Sequence, residues 1–562
     1  MKSVSPSPLA SSAAAPAFPL LWTVGLSGHR ELPDESMARA AVREELASLK
    51  QAASDQHAQL TAVSSLALGA DLLFAEECLA AGLPWKCLLP FALEEFRKDG
   101  FSEVDWARAE RCLSHAYRVE ITSPGLPADD AARKLAYLDC GHRTVEAADV
   151  MLLLWNGEPA AGIGGTGDLW EYTRTLNKPV WHWHSKTGLI NRVGWPGSEG
   201  DWKERRLFQS RLTPLVKAAE ASVGPEVDQD NPDEQPTASG RGLWALFTGF
   251  DRLANQKQGD AQGLMQRVVL AHLLATTAAA LSVTVITHGL GHRLHELPWL
   301  AWLAAVAFSS LVIAKPVLAA LALHWDRQLH KLHAQKHWVE ARVAAELCRS
   351  ALACWRMPQA PLRVFEEEDF PRFKRLIRTL RMAREMDVAA GATPSDEAAV
   401  QHYLANRIVE QADYFTRKHE KALHEHDAWQ RKFNLATGFV IVVGGVLGLA
   451  EAADACCAAW HLVLPPSLQT ASHLLHLISP VIACLLIVAP FYATYALAML
   501  AIRDCRRRRD RFLSMSQFLQ RQRLRLARSR SAVSRMAVVE NTERMLLEEL
   551  HEWHSVALEV RV

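Results

Sequence analysis

Three short stretches of the chain carry residues suited to holding a phosphate or a ribose. Each follows an apolar run and precedes a helical pattern: "GLSGHR" at 25–30, "LALGADLLFAEE" at 66–77 and "GIGGTGDLWE" at 162–171. Glycine lets another molecule approach the main chain closely, and a helix that begins at such a turn points free N–H groups at an anion. A single turn of this kind is most simply a tight surface turn. Three in one domain predict a nucleotide-like ligand.

Side chains at these turns add hydrogen-bonding groups. Ser27 offers a hydroxyl, and Arg30 can bind a phosphate through two parallel hydrogen bonds. The candidate ligand-binding residues are Gly25, Ser27, Gly28, His29, Arg30, Gly69, Asp71, Gly164, Gly165, Thr166, Gly167 and Asp168. We expect a nucleotide-derived small molecule as the partner, and neither a bound cofactor nor a metal.

The surrounding pattern predicts the elements that position these turns. Continuous apolar strands separated by helical segments are typical of a parallel sheet covered on both faces. Ligands of such sheets bind at the carboxyl ends of the strands. The predicted strands are 20–25, 60–67, 85–90, 117–123, 150–155 and 179–184. Residues 20–184 are therefore expected to form a Rossmann-like α/β domain.

Polar segments flank this domain. Residues 1–19 are rich in Ser, Ala and Pro and are expected to be a disordered lead-in. Residues 185–265 are expected to be a linker, of which 224–242 is the most polar and flexible part.

Four later segments are almost free of charge: 268–288, 297–325, 435–450 and 473–502. About 20 apolar residues span a bilayer as a helix, so the sequence predicts an all-α region with four transmembrane helices and long cytoplasmic helices. Buried core helices of a soluble domain are the alternative, and they fit poorly with the near absence of charge.

The flanking charges predict an orientation. The 289–296 loop holds one Arg and the 451–472 loop has no Lys or Arg, whereas "RDCRRRRDRF" directly follows the fourth segment. Positive charge stays inside, so this multi-pass membrane protein is expected to have both termini in the cytoplasm.

Two similar two-span units are expected in this half, at 266–357 and 401–562, with a connector at 358–400.

Composition excludes some classes of protein. Lys plus Arg and Asp plus Glu are both 62, so no nucleic-acid partner is expected. The ten cysteines are scattered without a CxxC pair, which indicates reduced thiols. His330, His333 and His337 have helical spacing, but no carboxylate or Cys completes a metal site there.

Together, "GLSGHR", "LALGADLLFAEECLAAGLPWKCLLPF" and "DVMLLLWNGEPAAGIGGTGD" resemble the SLOG superfamily, a Rossmann-like group related to the Lonely Guy phosphoribohydrolases. The resemblance covers about residues 20–184. It implies either binding of a nucleotide-derived signal or hydrolysis of a nucleotide N-glycosidic bond.

The hydrolases of that group carry a Pro-Gly-Gly-x-Gly-Thr-x-x-Glu motif. The positions that match are Gly164, Gly165, Gly167 and Glu171, whereas Ile163 replaces the proline and Asp168 the threonine. The catalytic arginine has no clean counterpart, and Arg143 is the nearest candidate. The resemblance implies that Glu171 is the catalytic carboxylate if the chain is an enzyme, but these departures favour a sensor.

The C-terminal half is similar to the SLATT family of two-span membrane modules. The resemblance rests on "YLANRIVEQADYFTRKHEKA" (403–422), "VVENTERMLLEELHEWHS" (538–555) and "HWVEARVAAELCRSALACW" (337–355). It implies a pore-forming or membrane-disrupting effector of the bacterial inner membrane in antiphage defence. Because four spans from one chain are few for lining a pore, a homo-oligomer is expected. A membrane-tethered hydrolase and a structural membrane scaffold are the alternatives.

Overall fold

A computed structural model describes residues 18–160, 162–198, 201–222, 237–287, 298–331, 334–357, 370–391, 396–459 and 466–559. The N-terminal part is built on a seven-stranded sheet. Its strands are β1 (Leu20–Gly28), β2 (Ala58–Ser64), β3 (Trp85–Leu89), β4 (Arg118–Ile121), β5 (Val150–Trp155), β6 (Val180–His184) and β7 (Ile190–Val193). The order is β4-β3-β2-β1-β5-β6-β7.

The first six strands are parallel, and β7 pairs antiparallel with β6. The predicted parallel sheet and its six strands are confirmed. Strand β7 was not predicted. A two-stranded ribbon of β8 (Gly197–Ser198) and β9 (Asp201–Trp202) follows it.

Helices cover both faces of the sheet. They are α1 (Glu35–Asp55), α2 (Ala70–Ala80), α3 (Leu93–Phe96), α4 (Glu103–His115), α5 (Asp130–Ala147), α6 (Thr166–Thr175), α7 (Glu204–Leu207) and α8 (Thr213–Ser222). The sequence sets where several begin: Asp34, Ser102 and Asp129 each accept a hydrogen bond from the backbone N–H three residues ahead. On one face, α5 and α6 pack on β5 and β6 through residues such as Val145, Leu169 and Leu153.

The rest of the chain is helical in the described residues. Its helices are α9 (Ala238–Thr287), α10 (Pro298–Lys331), α11 (Ala334–Cys354), α12 (Lys374–Ala389), α13 (Asp396–Tyr403), α14 (Glu410–Ala459), α15 (Pro466–Ile502), α16 (Cys505–Arg528) and α17 (Ala532–Glu559). A 3₁₀ turn, Pro371–Phe373, leads into α12, and a π-helical turn, Leu404–Val409, separates α13 from α14.

The chain forms two compact units. One is drawn from residues 1–252, 341–399 and 543–555, and the other from 253–340, 400–542 and 556–562. The first unit therefore contains the sheet together with α12 and parts of α9, α11 and α17. Residues 185–265, expected to be a linker, include β7, α7, α8 and the beginning of α9.

Several sequence predictions lie on residues outside the described ranges: residues 1–17 of the lead-in, most of the 224–242 segment, the 289–296 loop, the middle of the 451–472 loop and His333. Phe18, which was expected in the disordered lead-in, is instead buried against Trp355.

Four long helical segments have the length and apolarity needed to cross a membrane: Ala238–Ser282, Val306–Gln328, Glu397–Ala450 and Val481–Arg528. Each overlaps one predicted span. Their apolar side chains are largely exposed, with Leu435 and Leu449 about three-quarters accessible. Exposed apolar surface of this extent is unfavourable in water and favourable in lipid.

In the second unit, α15 and α16 lie one after the other along α14. Phe415 stacks near Phe512, Trp429 near Tyr495, and the Thr416 and Ser516 hydroxyls are 2.8 Å apart. The chain bends between α15 and α16 at Asp504, whose φ is 45°. The third and fourth apolar segments thus form one antiparallel helical hairpin.

Helix α12 belongs to a second hydrophobic core of the first unit. Its Leu376, Ile377 and Leu380 are buried with Leu20 of β1 and with side chains of α9, α11 and α17. Residues 358–400, expected to be a connector, thus supply a helix that packs against the sheet.

Candidate functional site

The carboxyl ends of β1 and β5 lie side by side, and the strand order changes direction between them. In open α/β sheets, ligands bind in the crevice at this point. We call the residues at these two strand ends and at the start of α2 the crevice.

A histidine joins the two strands of the crevice. The His29 backbone N–H donates to the Leu154 carbonyl at 3.1 Å, and the Asn156 backbone N–H donates to His29 Nε2 at 3.1 Å. Because Nε2 accepts, the neutral ring carries its proton on Nδ1. His29, a predicted site residue, therefore holds β1 and β5 in register at this edge.

The start of α2 is fastened to the same place. The Ala70 N–H donates to the His29 carbonyl at 3.0 Å, and Gly69 has a φ of 82°. A Cβ on Gly69 would lie 2.2 Å from the Arg30 carbonyl oxygen, and one on Gly28 would lie 2.5 Å from the Ala70 Cβ. These two glycines are therefore needed for the chain to pack against itself.

Asp71 is the second residue of α2, and its Oδ1 is buried without a hydrogen-bond partner among the described residues. Burial raises the pKa of Asp71 to about 7, although a backbone hydrogen bond from Ala67 and the charge of Arg30 oppose the shift. An unpartnered buried carboxyl oxygen is costly unless something binds it. Asp71 thus offers the crevice a group for a hydroxyl or amine, and Arg30 offers one for an anion.

Arg30 lies on an aromatic support. Its guanidinium is 5.2 Å from the centroid of the Tyr137 ring, a cation–π geometry. The Tyr137 hydroxyl donates to Asp99, which also accepts from Arg133. Burial raises the pKa of Tyr137 well above its usual range, so it remains a donor. Arg30 is exposed, and its charge also acts on the Tyr137 hydroxyl and on Asp71.

The glycine-rich turn lies before α6 at the same edge of the sheet. Gly164 has a φ of 85°, and its N–H donates to Asp168 Oδ2 at 2.9 Å. A Cβ on Gly167 would lie 2.7 Å from the Ala160 nitrogen, and one on Gly165 would lie 2.9 Å from the Ala160 Cβ. The carboxylate of Asp168 thus already supplies negative charge at this helix N-terminus.

The other predicted site residues lie outside the crevice or have structural roles. Thr166 is buried, whereas the Glu171 side chain is 71% exposed and lies 3.8 Å from Arg174. Gly25 lies three residues before the strand end, and a Cβ there would meet Met151 and Ala148. Ser27 is half-buried in β1. Arg143 lies 3.2 Å from Asp139, on α5.

The structure therefore brings together Gly28, His29, Arg30, Gly69 and Asp71 in one crevice. The turn at 164–168 packs on residues 158–160, which follow Asn156 in the chain. Sequence reasoning missed Asn156 and Tyr137. Asn156 directly follows a buried strand, which is the signal that singled out His29. Tyr137 lies on a helix and carried no such signal.

The described residues contain no group of three or more His, Cys, Asp or Glu side chains that could hold a metal ion. All ten cysteines are free thiols, most of them buried.

No protein-family model matches the chain, and no curated protein shows a significant match to it.

Proposed function

We propose that the chain is a membrane effector of the SLOG–SLATT type. Its sheet domain binds a nucleotide or a nucleotide-derived signal, and its four apolar helices respond by forming a pore or disrupting the membrane, in bacterial antiphage defence. The observation that carries the ligand half is the buried, unpartnered Oδ1 of Asp71 beside Arg30, at the crevice between β1 and β5.

The chemistry of the crevice favours a ligand with both an anionic group and hydroxyl or amino groups. Arg30 is the natural partner of a phosphate. Asp71 suits a ribose hydroxyl or an exocyclic amine of a base, since a carboxyl group with a pKa near 7 can either accept or donate. A mononucleotide or a small cyclic nucleotide meets both requirements, without a cofactor or a metal.

The membrane half of the proposal rests on the four apolar helical segments and their exposed side chains. Positive charge favours a cytoplasmic sheet domain and cytoplasmic termini. It is concentrated in the run of arginines at 506–509, at the start of α16, and in the segment between the second and third apolar segments. The protein then lies in the bacterial inner membrane.

Binding must favour one arrangement of the membrane helices over another, because a ligand shifts an equilibrium only by its differential affinity. Since four spans are few for lining a pore, the active form is a homo-oligomer.

A sensor is better supported than a hydrolase. Glu171, the residue that matches the catalytic glutamate, is exposed and lies beside Arg174 rather than in the crevice. A general acid at a glycosidic centre works best in a site that shields it from water.

One observation favours the scaffold alternative. The space beside Gly28, Gly69 and Gly167 is filled by the chain's own atoms, so these glycines do not by themselves require a ligand. Ligand binding is therefore the property to test first.

The test is a thermal-shift screen of the full chain in detergent micelles against mononucleotides and cyclic di- and trinucleotides, with base release followed by chromatography. A sensor is stabilised by at least one nucleotide without releasing base. Base release supports the hydrolase, and no stabilisation by any nucleotide supports the scaffold. Ligand-dependent dye leakage from liposomes containing the full chain then tests the pore.

A further inference from the structure

Helix α12 contacts the amino ends of the two strands whose carboxyl ends form the crevice. Asp149, the residue before β5, accepts from both terminal nitrogens of Arg375, at 2.7 and 2.6 Å. Arg375 also donates to the Leu21 carbonyl of β1 at 3.1 Å. One guanidinium therefore ties β1 to β5 at the edge of the sheet opposite the crevice.

Three further contacts complete this connection. The Leu21 N–H donates to the Thr379 hydroxyl at 2.9 Å, and the Thr23 N–H donates to Asp149 at 2.9 Å. The Arg375 guanidinium stacks 3.6 Å from the ring centroid of Trp22. Both Arg375 and Asp149 are mostly buried, so these interactions are little screened by solvent.

The other half of α12 contacts α9 and the end of α11, two helices that have residues in both units. The Arg384 guanidinium donates to the Cys354, Trp355 and Met357 carbonyls at the end of α11. Asp387 accepts from the Ser239 hydroxyl at the start of α9 at 2.8 Å and from the Trp355 indole at 2.9 Å. Helix α9 runs unbroken from this core into the first apolar segment.

We propose that α12 is a coupling helix: it senses the relative position of β1 and β5 and transmits it to α9 and α11. A ligand that widens or closes the crevice changes the spacing between β1 and β5. Arg375 holds these strands together about 23 Å away, a distance set by the seven residue steps of β1 between Leu21 and Gly28. This inference rests on the proposed function for its ligand, but the coupling itself is a property of the apo protein.

The contact with β3 and β4 provides a matched control. Glu385, on the same helix, lies 3.9 Å from Lys86 and 3.5 Å from Arg118, at the starts of β3 and β4. These strands do not border the crevice. Losing the Glu385 contacts therefore removes a salt bridge from α12 without affecting the connection to β1 and β5.

Hydrogen exchange on the full chain in detergent micelles tests the coupling without any nucleotide. His29→Ala removes the acceptor of the Asn156 N–H at the crevice, and we expect exchange in peptides covering 374–389 to become about two- to tenfold faster. By reciprocity, Arg375→Gln should speed exchange at 150–158, whereas Glu385→Gln should leave it unchanged. Ser102→Ala, which removes the N-cap of α4, controls for general destabilisation.

Exchange at 374–389 that stays at the wild-type rate in His29→Ala, while 150–158 accelerates, would overturn the coupling. So would equal effects of Arg375→Gln and Glu385→Gln at 150–158. Gly28→Ala, whose Cβ meets Ala70 and Leu154, is a second crevice perturbation in case His29→Ala is too mild. Absence of nucleotide binding in the thermal-shift screen would remove the proposed ligand and leave these outcomes unaffected.

Discussion

The Arg375 guanidinium forms two hydrogen bonds with the carboxylate of Asp149, a residue 226 positions earlier in the sequence. Each terminal nitrogen lies within 2.7 Å of a carboxylate oxygen. Arg375→Gln leaves the buried Asp149 carboxylate with the Thr23 N–H and with Arg378, whose guanidinium lies 3.5 Å away. We therefore expect Arg375→Gln to destabilise the first unit by about 3 kcal/mol, at the lower end of what breaking a buried ion pair costs. The melting temperature of the full chain in detergent measures this. Lys186→Gln breaks an exposed pair with Glu158 and should cost less than about 1 kcal/mol.

The pair of Arg375 and Asp149 should also make the stability of the first unit depend on pH. Burial alone would raise the pKa of Asp149, but Arg375, together with Arg378 and the Thr23 N–H, holds that pKa below its usual value of 3.8. The stabilisation is therefore present above pH 3.8 and is lost as the pH falls below it through the folded-state pKa. Wild type and Arg375→Gln should converge in stability in this acid range. A constant difference between them down to pH 2 would contradict the assignment.

Most of the sheet was predictable because its central strands, such as β1, β5 and β6, are short buried apolar runs bounded by turns. Strand β7 was not, because its side chains are mostly exposed. The role of α12 could not be predicted, because Leu376, Ile377 and Leu380 would equally well form the apolar face of any helix in a bundle. Only the fold shows that they pack on Leu20. A fragment that ends at residue 240, within the expected linker, would lack α12 and expose this surface.

The crevice, too, could be predicted from the sequence only in part. His29 and Asp71 could be selected from their positions after strand-like runs. The different roles of these two residues could not be predicted, because the Asn156–His29 hydrogen bond depends on β5 lying next to β1. Strand order is a tertiary property that apolar periodicity does not encode.

Asp71 should make stability depend on pH near neutrality. Its pKa is raised by burial from 3.8 to about 7, so the folded state binds a proton that the unfolded state releases between these values. Stability from this group falls as the pH rises from 3.8 to about 7. Asp71→Asn should remove this slope and raise stability at pH 8 by roughly 2–4 kcal/mol. Melting temperatures of both proteins between pH 5 and 8.5 measure the effect, and parallel curves would refute it.

Arg30 should contribute to nucleotide binding. Arg30→Ala removes a charge-assisted hydrogen bond and is expected to weaken binding by about 1.5–3 kcal/mol, as measured by isothermal titration calorimetry. Arg174→Ala is the control, because Arg174 lies on α6 beside the exposed Glu171. Equal affinities of wild type and Arg30→Ala would exclude Arg30 from the site.

The topology can be read with native cysteines. Cys456 is exposed near the end of α14 and Cys457 lies beside it, in the segment that is expected to face the periplasm. A membrane-impermeant maleimide should label intact spheroplasts at these positions, and Cys456→Ser with Cys457→Ser should abolish the label. Labelling that appears only after lysis would reverse the orientation.

Substitutions at two adjacent glycines in α14 can distinguish helix packing within the hairpin from helix packing between copies of the chain. A Cβ on Gly444 would lie 3.5 Å from Leu486 of α15, whereas one on Gly445 would meet no atom of the described residues within 4 Å. Small residues let membrane helices approach closely. Gly444→Leu should therefore strain the hairpin and lower its thermal stability. Gly445→Leu should preserve stability and ligand binding but reduce oligomer formation and ligand-dependent dye leakage from liposomes. Wild-type leakage by Gly445→Leu would place the contact between copies on another face, and liposomes that never leak with the wild-type protein would exclude the pore.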